Sequence, residues 1–229
     1  MPTDLQSIAD PQFIVLAWAA GLALVAGVIS LAKIVGPGFV WLSAGTAGAL
    51  GLPGALAQGG WWARVGLVSV VAGLVMARNG RAAGVLLVVG GVFLAVQASI
   101  SSGWLPVTTA TLAVGGVTGE MVLGHWYLID PRLPRLALRV LAIVAIVGLT
   151  ADGVVLAAVG PPRGGAAVAF WILLATSIAL MVAVIAALRY PAYSGVMAAT
   201  GLSYLTVLTT LGAVFLGRAL VAGLAPFAT

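Results

Sequence analysis

The 229-residue sequence contains no cysteine and a single histidine, His125. The first absence excludes disulfides, thiolate metal sites, Cys-ligated iron–sulfur clusters and covalent c-type haem. The second excludes a bis-histidine haem held within this chain. Charge is also scarce: Asp, Glu, Lys and Arg make up 7% of the residues, against 62% hydrophobic, with a mean hydropathy of +1.22. A soluble domain carries about 25% charged residues. So few charges do not make a water-facing surface, so most of the surface must face lipid. No polar stretch is long enough for a soluble domain, whose independent core needs about 50 residues or more. The expected organisation is a single transmembrane domain over residues 1–229.

What charge there is leans basic, ten Lys and Arg against five Asp and Glu. In a membrane chain this reads as loop anchoring at the bilayer surface rather than as nucleic-acid binding, and no Lys/Arg cluster with interleaved aromatics is present. The first residues hold Asp4 and Asp10 and no Lys or Arg before the first apolar run. A secretory signal peptide needs a positive start, so this run is expected to be a retained helix.

A spanning helix needs about 20 mostly apolar residues. Apolar runs fall at 12–35, 37–58, 62–77, 81–99, 104–129, 136–159, 165–188 and 192–223. Gly36-Pro37, Gly59-Gly60, Asn79-Gly80, Ser101-Ser102-Gly103, Asp130-Pro131, Pro161-Pro162 and Tyr190-Pro191 punctuate them as turn or helix-start signals. The expected fold is an all-α polytopic bundle of about eight transmembrane helices. The alternative is seven plus a re-entrant segment at 37–58, which holds Pro53 and many glycines. Only the third and fourth runs are short, and the tight polar hairpin Arg78-Asn79-Gly80-Arg81 keeps them separate.

Basic residues flanking the spans set orientation. With eight spans and the N-terminus outside, the cytoplasmic side holds Lys33, Arg78, Arg81, Arg132, Arg135, Arg139 and Arg189, and the outer side Arg64, Arg163 and Arg218: seven against three. If 37–58 does not cross, the split becomes six against four. The expected location is the plasma (inner) membrane, with both termini non-cytoplasmic. Glycine, at 31 residues, lets helices approach closely where hydrophobic burial supplies no driving force. Four plus four is an arithmetic option for eight spans, but no internal repeat is legible.

Polar chemistry inside the membrane concentrates in the fifth run. Glu120 lies ten residues before Asp130, roughly 15 Å deep at 1.5 Å per residue, near the midplane. Gly116 and Gly124 flank it at i−4 and i+4 on one helix face, which implies another helix packed closely there. Glu120 is therefore expected to face protein or a water-filled cavity. Intramembrane ionisable groups are costly and point to function. Burial disfavours the charged carboxylate, which makes Glu120 a candidate proton or ion carrier. The structural alternative is a protonated Glu that joins two helices by a hydrogen bond.

His125 lies about 140° around the helix from Glu120, in a stripe with Thr111 and Thr118. It is a candidate proton relay or quinone ligand. Beside Trp126 and Tyr127 it also reads as part of an interfacial aromatic belt. Tyr127 belongs to the same proton- or quinone-proximal set. Asp152, next to Thr150 near the outer end of the sixth run, is either an outer-side proton entry or a water-accessible helix-end carboxylate. Arg139 either neutralises an anion on the cytoplasmic side or snorkels. Ser203, Thr206 and Thr210 form a polar stripe continuing to Arg218, with Tyr204 and Thr209 on adjacent faces. The stripe either lines a hydrated path or bonds back to its own helix. Gln97, at the end of the fourth run, is expected at the interface.

No metal site is expected, since no second His and no Cys exists to share one. No cofactor is expected to be held by the chain's own covalent or bis-His ligands; a bound lipid or quinone is compatible with it. Expected partners are membrane lipids and other membrane subunits, and not nucleic acid. P-loop, nucleophile-elbow, HExxH and potassium-filter motifs are all absent. The function these features favour is a small integral subunit of a respiratory or other energy-converting complex, with a proton-path or quinone-proximal role at Glu120. The alternatives are a small proton- or ion-coupled transporter or channel and, weakest, an intramembrane lipid- or isoprenoid-modifying enzyme. Enzymes of that last kind usually present Asp clusters or several His and Ser groups, which this chain lacks.

Overall fold

A computed structural model describes residues 10–130, 133–160 and 162–223. Asp4, Arg132, Pro161 and the chain's last residues lie outside that set. Eight α-helices follow one another: α1 (Pro11–Leu31), α2 (Pro37–Gln58), α3 (Trp61–Val75), α4 (Gly80–Ser102), α5 (Trp104–Ile129), α6 (Arg135–Val159), α7 (Gly165–Ala187) and α8 (Tyr193–Val221). No strand occurs among the described residues. In lipid every backbone polar group needs an internal partner, which only a helix supplies within one segment. The chain is a polytopic helical membrane bundle.

Seven helices are long and apolar enough to cross a membrane. The eighth, α3, has 15 residues, about 22 Å at 1.5 Å per residue against a hydrocarbon core of about 30 Å. The irregular segment is thus not 37–58. That stretch is one continuous 22-residue helix carrying Pro53 inside it, closed by Gly59 in the left-handed region at φ 62°. Proline removes one helical hydrogen bond but leaves the rest of the ladder intact. Asp10 caps α1 by accepting from the Gln12 amide at 2.9 Å, and Asn79 caps α4 by accepting from Ala82 at 3.3 Å.

Glycine contacts fix the direction of every helix. Gly54 and Gly51 of α2 face Leu16 and Ala19, and Gly91 and Gly27 of α1–α4 pairing face Leu24 and Val88, so α1 is antiparallel to both α2 and α4. Gly66 and Gly73 of α3 meet Leu94 and Leu87, antiparallel to α4. Gly21 meets Gly115 while Val25 meets Gly119, so α1 and α5 run parallel. Helices α6 and α8 run antiparallel to α5, and α7 antiparallel to α8. The result is two rings of four. In the first, α1–α2–α3–α4 closes by α1 against α4; in the second, α5–α6–α7–α8 closes by α5 against α8. The rings join mainly through α1 on α5. This four-plus-four arrangement carries no repeat visible in the residues.

The join is tight. A Cβ built on Gly21 would lie 2.7 Å from the Gly115 Cα, and one on Gly116 2.8 Å from the Ala145 amide nitrogen of α6. Helix α5 is the most buried span and α7 the least. Gly116→Leu is expected to lower stability by about 3 kcal/mol, the upper end of overpacking costs, because backbone rather than a flexible side chain stands in the way. Thermal unfolding in mild detergent checks this, and a wild-type midpoint would contradict the packing described.

Candidate functional site

Glu120 is fully buried on α5, where α8 crosses it. The Ser203 hydroxyl of α8 contacts its Oε2, while Oε1 has no hydrogen-bond partner. Ser203 Oγ also lies 2.8 Å from the Ala199 carbonyl. One hydroxyl proton thus stands between two acceptors. Both contacts are satisfied together when a protonated carboxyl donates to Ser203 and the serine donates back to its own helix. The flanking glycines make this approach feasible: Gly116 opens the face towards Ala145 of α6, and Gly124 towards Thr200 of α8, whose Oγ1 a Cβ would meet at 2.9 Å.

Asp152 forms a second polar cluster near the other end of α8. It is buried, not open to water. Its Oδ1 accepts from Arg218 Nη2 at 2.7 Å and from Thr109 Oγ1 at 2.7 Å, and its Oδ2 accepts from Arg218 Nη1 at 2.8 Å. Arg218 is itself fully buried. It reaches the Pro106 carbonyl at 3.5 Å and places its guanidinium carbon 5.3 Å from the centre of the Phe13 ring. Arg218, expected on the outer flank, turns its side chain into the bundle towards this bidentate partner. The same partner removes the water-accessible reading of Asp152. Thr150 stands apart, exposed and bonded to its own helix at Ile146.

The stripe between the two clusters is in place. Thr206 is buried and donates to the Leu202 carbonyl at 2.9 Å; Thr210 is buried with its hydroxyl unpartnered. From Ser203 to Arg218 the helix rises about 22 Å, and from Glu120 to Thr109 about 16 Å. Helical periodicity places Tyr127, also buried, seven residues past Glu120 on the same α5 face. His125 sits elsewhere. It is exposed, with Nδ1 3.1 Å from the hydroxyl of Tyr204, which is also exposed. Its expected stripe-mates diverge from it: Thr118 accepts from the Trp18 indole at 2.8 Å, and Thr111 is buried with its hydroxyl unpartnered.

Arg139 donates to the Leu188 carbonyl at 2.9 Å, and Arg135 donates to the carbonyls of Tyr190 and Pro191. Together they bind the chain leaving α7, where carbonyls at a helix end lack intrahelical donors. Gln97 is buried, donating to Gln58 at 3.3 Å, and lines a cleft with Asp10 and Gln12 at the start of α1. Its burial follows from Gly60, which leaves room for it at the α2–α3 turn. Among the described residues no three His, Cys, Asp or Glu side chains come together as a metal-binding group. The Asp152–Arg218 pairing is the feature that reading along the chain missed, although both residues sit within the last two turns or so of their helices. Comparison with known protein families, with curated proteins and with solved structures finds no match.

Proposed function

We propose that this chain is a small subunit of an energy-converting complex of the plasma (inner) membrane, in which Glu120 takes up and releases protons. The observation that carries this reading is a fully buried carboxyl on α5 with one unpartnered oxygen, in contact with Ser203 of α8, whose buried stripe goes on to Thr206 and Thr210. Buried polar atoms of this kind are served by ordered water or by a transferred proton. The links between the helices run from one residue, Gly103, to five. They offer little to a soluble substrate, so the chemistry belongs within the bilayer. In this reading the proton's destination is a quinone or a polar group of a neighbouring subunit.

The test uses the protein purified in mild detergent with whatever subunits accompany it, reconstituted into vesicles with an internal pH dye. Glu120→Gln preserves shape and hydrogen bonding and removes titration. It is expected to assemble normally and to lose proton-coupled turnover by about 10²-fold or more, the scale of a lost proton-transfer group. Full turnover in the Gln variant would sink the reading.

A second reading, a small proton- or ion-coupled transporter, draws on one observation: Glu120 follows Gly119, which meets Val25 of α1 where the two four-helix rings join. Transporters built from repeats place their coupling sites near the midplane at such a junction. Purification as a homo-oligomer stabilised by a substrate favours this reading; a stable complex with other subunits favours the first.

Orientation belongs to the same proposal. Phe13 at the start of α1 and Arg218 near the end of α8 are in contact, so these two helix ends share one face. With Arg218 inside the bundle, that face retains Arg64 and Arg163, against Lys33, Arg78, Arg81, Arg135, Arg139 and Arg189 on the other, and the basic face is read as cytoplasmic. Single cysteines at Asn79 and Arg189 are expected to react with an impermeant reagent only from the cytoplasmic side, and one at Arg163 only from outside. The reverse pattern would overturn the orientation.

A further inference from the structure

We propose that the seam between the two rings, at the basic face, binds an anionic phospholipid. Helices α1 and α6 both pack on α5 from different rings, leaving between them a cleft of about 250 Å³. Its walls are hydrocarbon: Val28, Ile29 and Ala32 of the α1 side, Leu136, Ala137 and Val140 of α6. Val28, Leu136 and Val140 are exposed, so the cleft opens to the bilayer and admits an acyl chain without moving a helix.

Charge at the rim decides which lipid. Lys33 stands between two lining residues, Ala32 and Ile34, just past the end of α1. Its backbone turns into the left-handed region at φ 56°, and its side chain is exposed. It makes no ion pair among the described residues. Arg135, the first residue of α6, and Arg139, one turn on, are occupied by the carbonyls of the α7–α8 link. The positive end of the α6 dipole points to the same rim. A phosphate held at Lys33 with its acyl chain in the cleft satisfies both surfaces, as basic pockets between spans do for anionic headgroups.

The opposite end of the seam is an internal contrast. A cleft of about 220 Å³ there, between α4 and α5, is lined by Val96, Ser99, Trp104 and Thr108 among others, and no cation lines it. Neither cleft has a cation in its walls, but Lys33 adjoins two lining residues of the first, whereas no Lys or Arg adjoins any lining residue of the second, which offers the same hydrocarbon shelter with no preference for an anion.

Native mass spectrometry of the delipidated protein tests the proposal, with phosphatidylglycerol and phosphatidylcholine of equal chain length as probes and glycerol phosphate as the soluble anion. The wild type is expected to retain phosphatidylglycerol at about fivefold lower concentration than phosphatidylcholine, the effect of one basic group at the membrane surface. Lys33→Gln should abolish that difference, Ala137→Trp should remove the bound lipid by filling the cleft, and Ala95→Trp in the contrasting cleft should leave the preference intact. Equal retention of the two lipids by the wild type would overturn the proposal. So would a preference that survives Lys33→Gln, or glycerol phosphate competing as well as the intact lipid. If Ala137→Trp fails to fold, the Lys33→Gln result decides alone.

Discussion

Arg218→Met alone is expected to destabilise the protein by about 3–5 kcal/mol, because it strands the Asp152 carboxylate inside the bundle without its bidentate partner. Asp152→Leu alone should cost a similar amount, leaving a guanidinium whose remaining contacts are the Val214 and Pro106 carbonyls and the Phe13 ring. The double variant is the informative one. A buried ion pair loses in desolvation much of what it gains in attraction, so replacing both members by apolar side chains of similar volume is expected to recover most of the loss. Thr109 then loses Asp152 but keeps the carbonyls of Leu105 and Pro106, each at 3.3 Å, which limits the residual cost to about 1 kcal/mol. Thermal unfolding of the four proteins in one detergent gives the coupling energy as a double-mutant cycle. If the costs of the two single variants simply add in the double, the pair is not coupled and the side chains have found other partners.

Glu120 separates function from structure by two substitutions rather than one. Glu120→Ala removes the partner of Ser203 and leaves a void, at an expected cost of about 1–3 kcal/mol. Some of that cost is offset, since Ser203 retains its bond to the Ala199 carbonyl. Glu120→Gln fills the same space and its amide can donate to Ser203, so stability should stay close to wild type. The proposed proton role makes turnover fall in both variants, while a helix-joining role makes turnover follow stability. Loss of proton-coupled turnover in a Gln variant of native stability therefore isolates the titration of Glu120 from its packing.

Much of the fold was legible because glycine, proline and short polar links interrupt otherwise unbroken apolar runs. Asp130-Pro131 and Tyr190-Pro191 mark links found where they were expected. Helix α4 extends past the apolar run at 81–99 to Ser102, since Ser99 bonds back to the Val96 carbonyl and a serine so satisfied does not end a helix. Helix α1 stops at Leu31, short of the end of the apolar run at 12–35, where Lys33 turns the chain. Glu120 stood out through its flanking glycines, a local signal. Its partner Ser203 is 83 residues away and Asp152 is 66 from Arg218. Pairings at that range depend on which helices meet: each ring takes its four helices in chain order, but its closure and the join between the rings leave no mark in the residues. His125 and Tyr204 pair for the same reason, one helix turn from the Glu120–Ser203 crossing.

The central claim is that the Glu120 carboxyl exchanges a proton during turnover. Infrared difference spectroscopy of the reconstituted complex, recorded between resting and working states, reads this directly as a change in the carbonyl band of a protonated carboxylic acid. The expected result is a band that appears in the wild type, shifts on deuteration and is missing from Glu120→Gln, with the Asp152→Asn spectrum retaining it. A band unchanged in Glu120→Gln, or a wild-type spectrum with no protonated-carboxyl signal in an actively turning-over sample, would contradict the account.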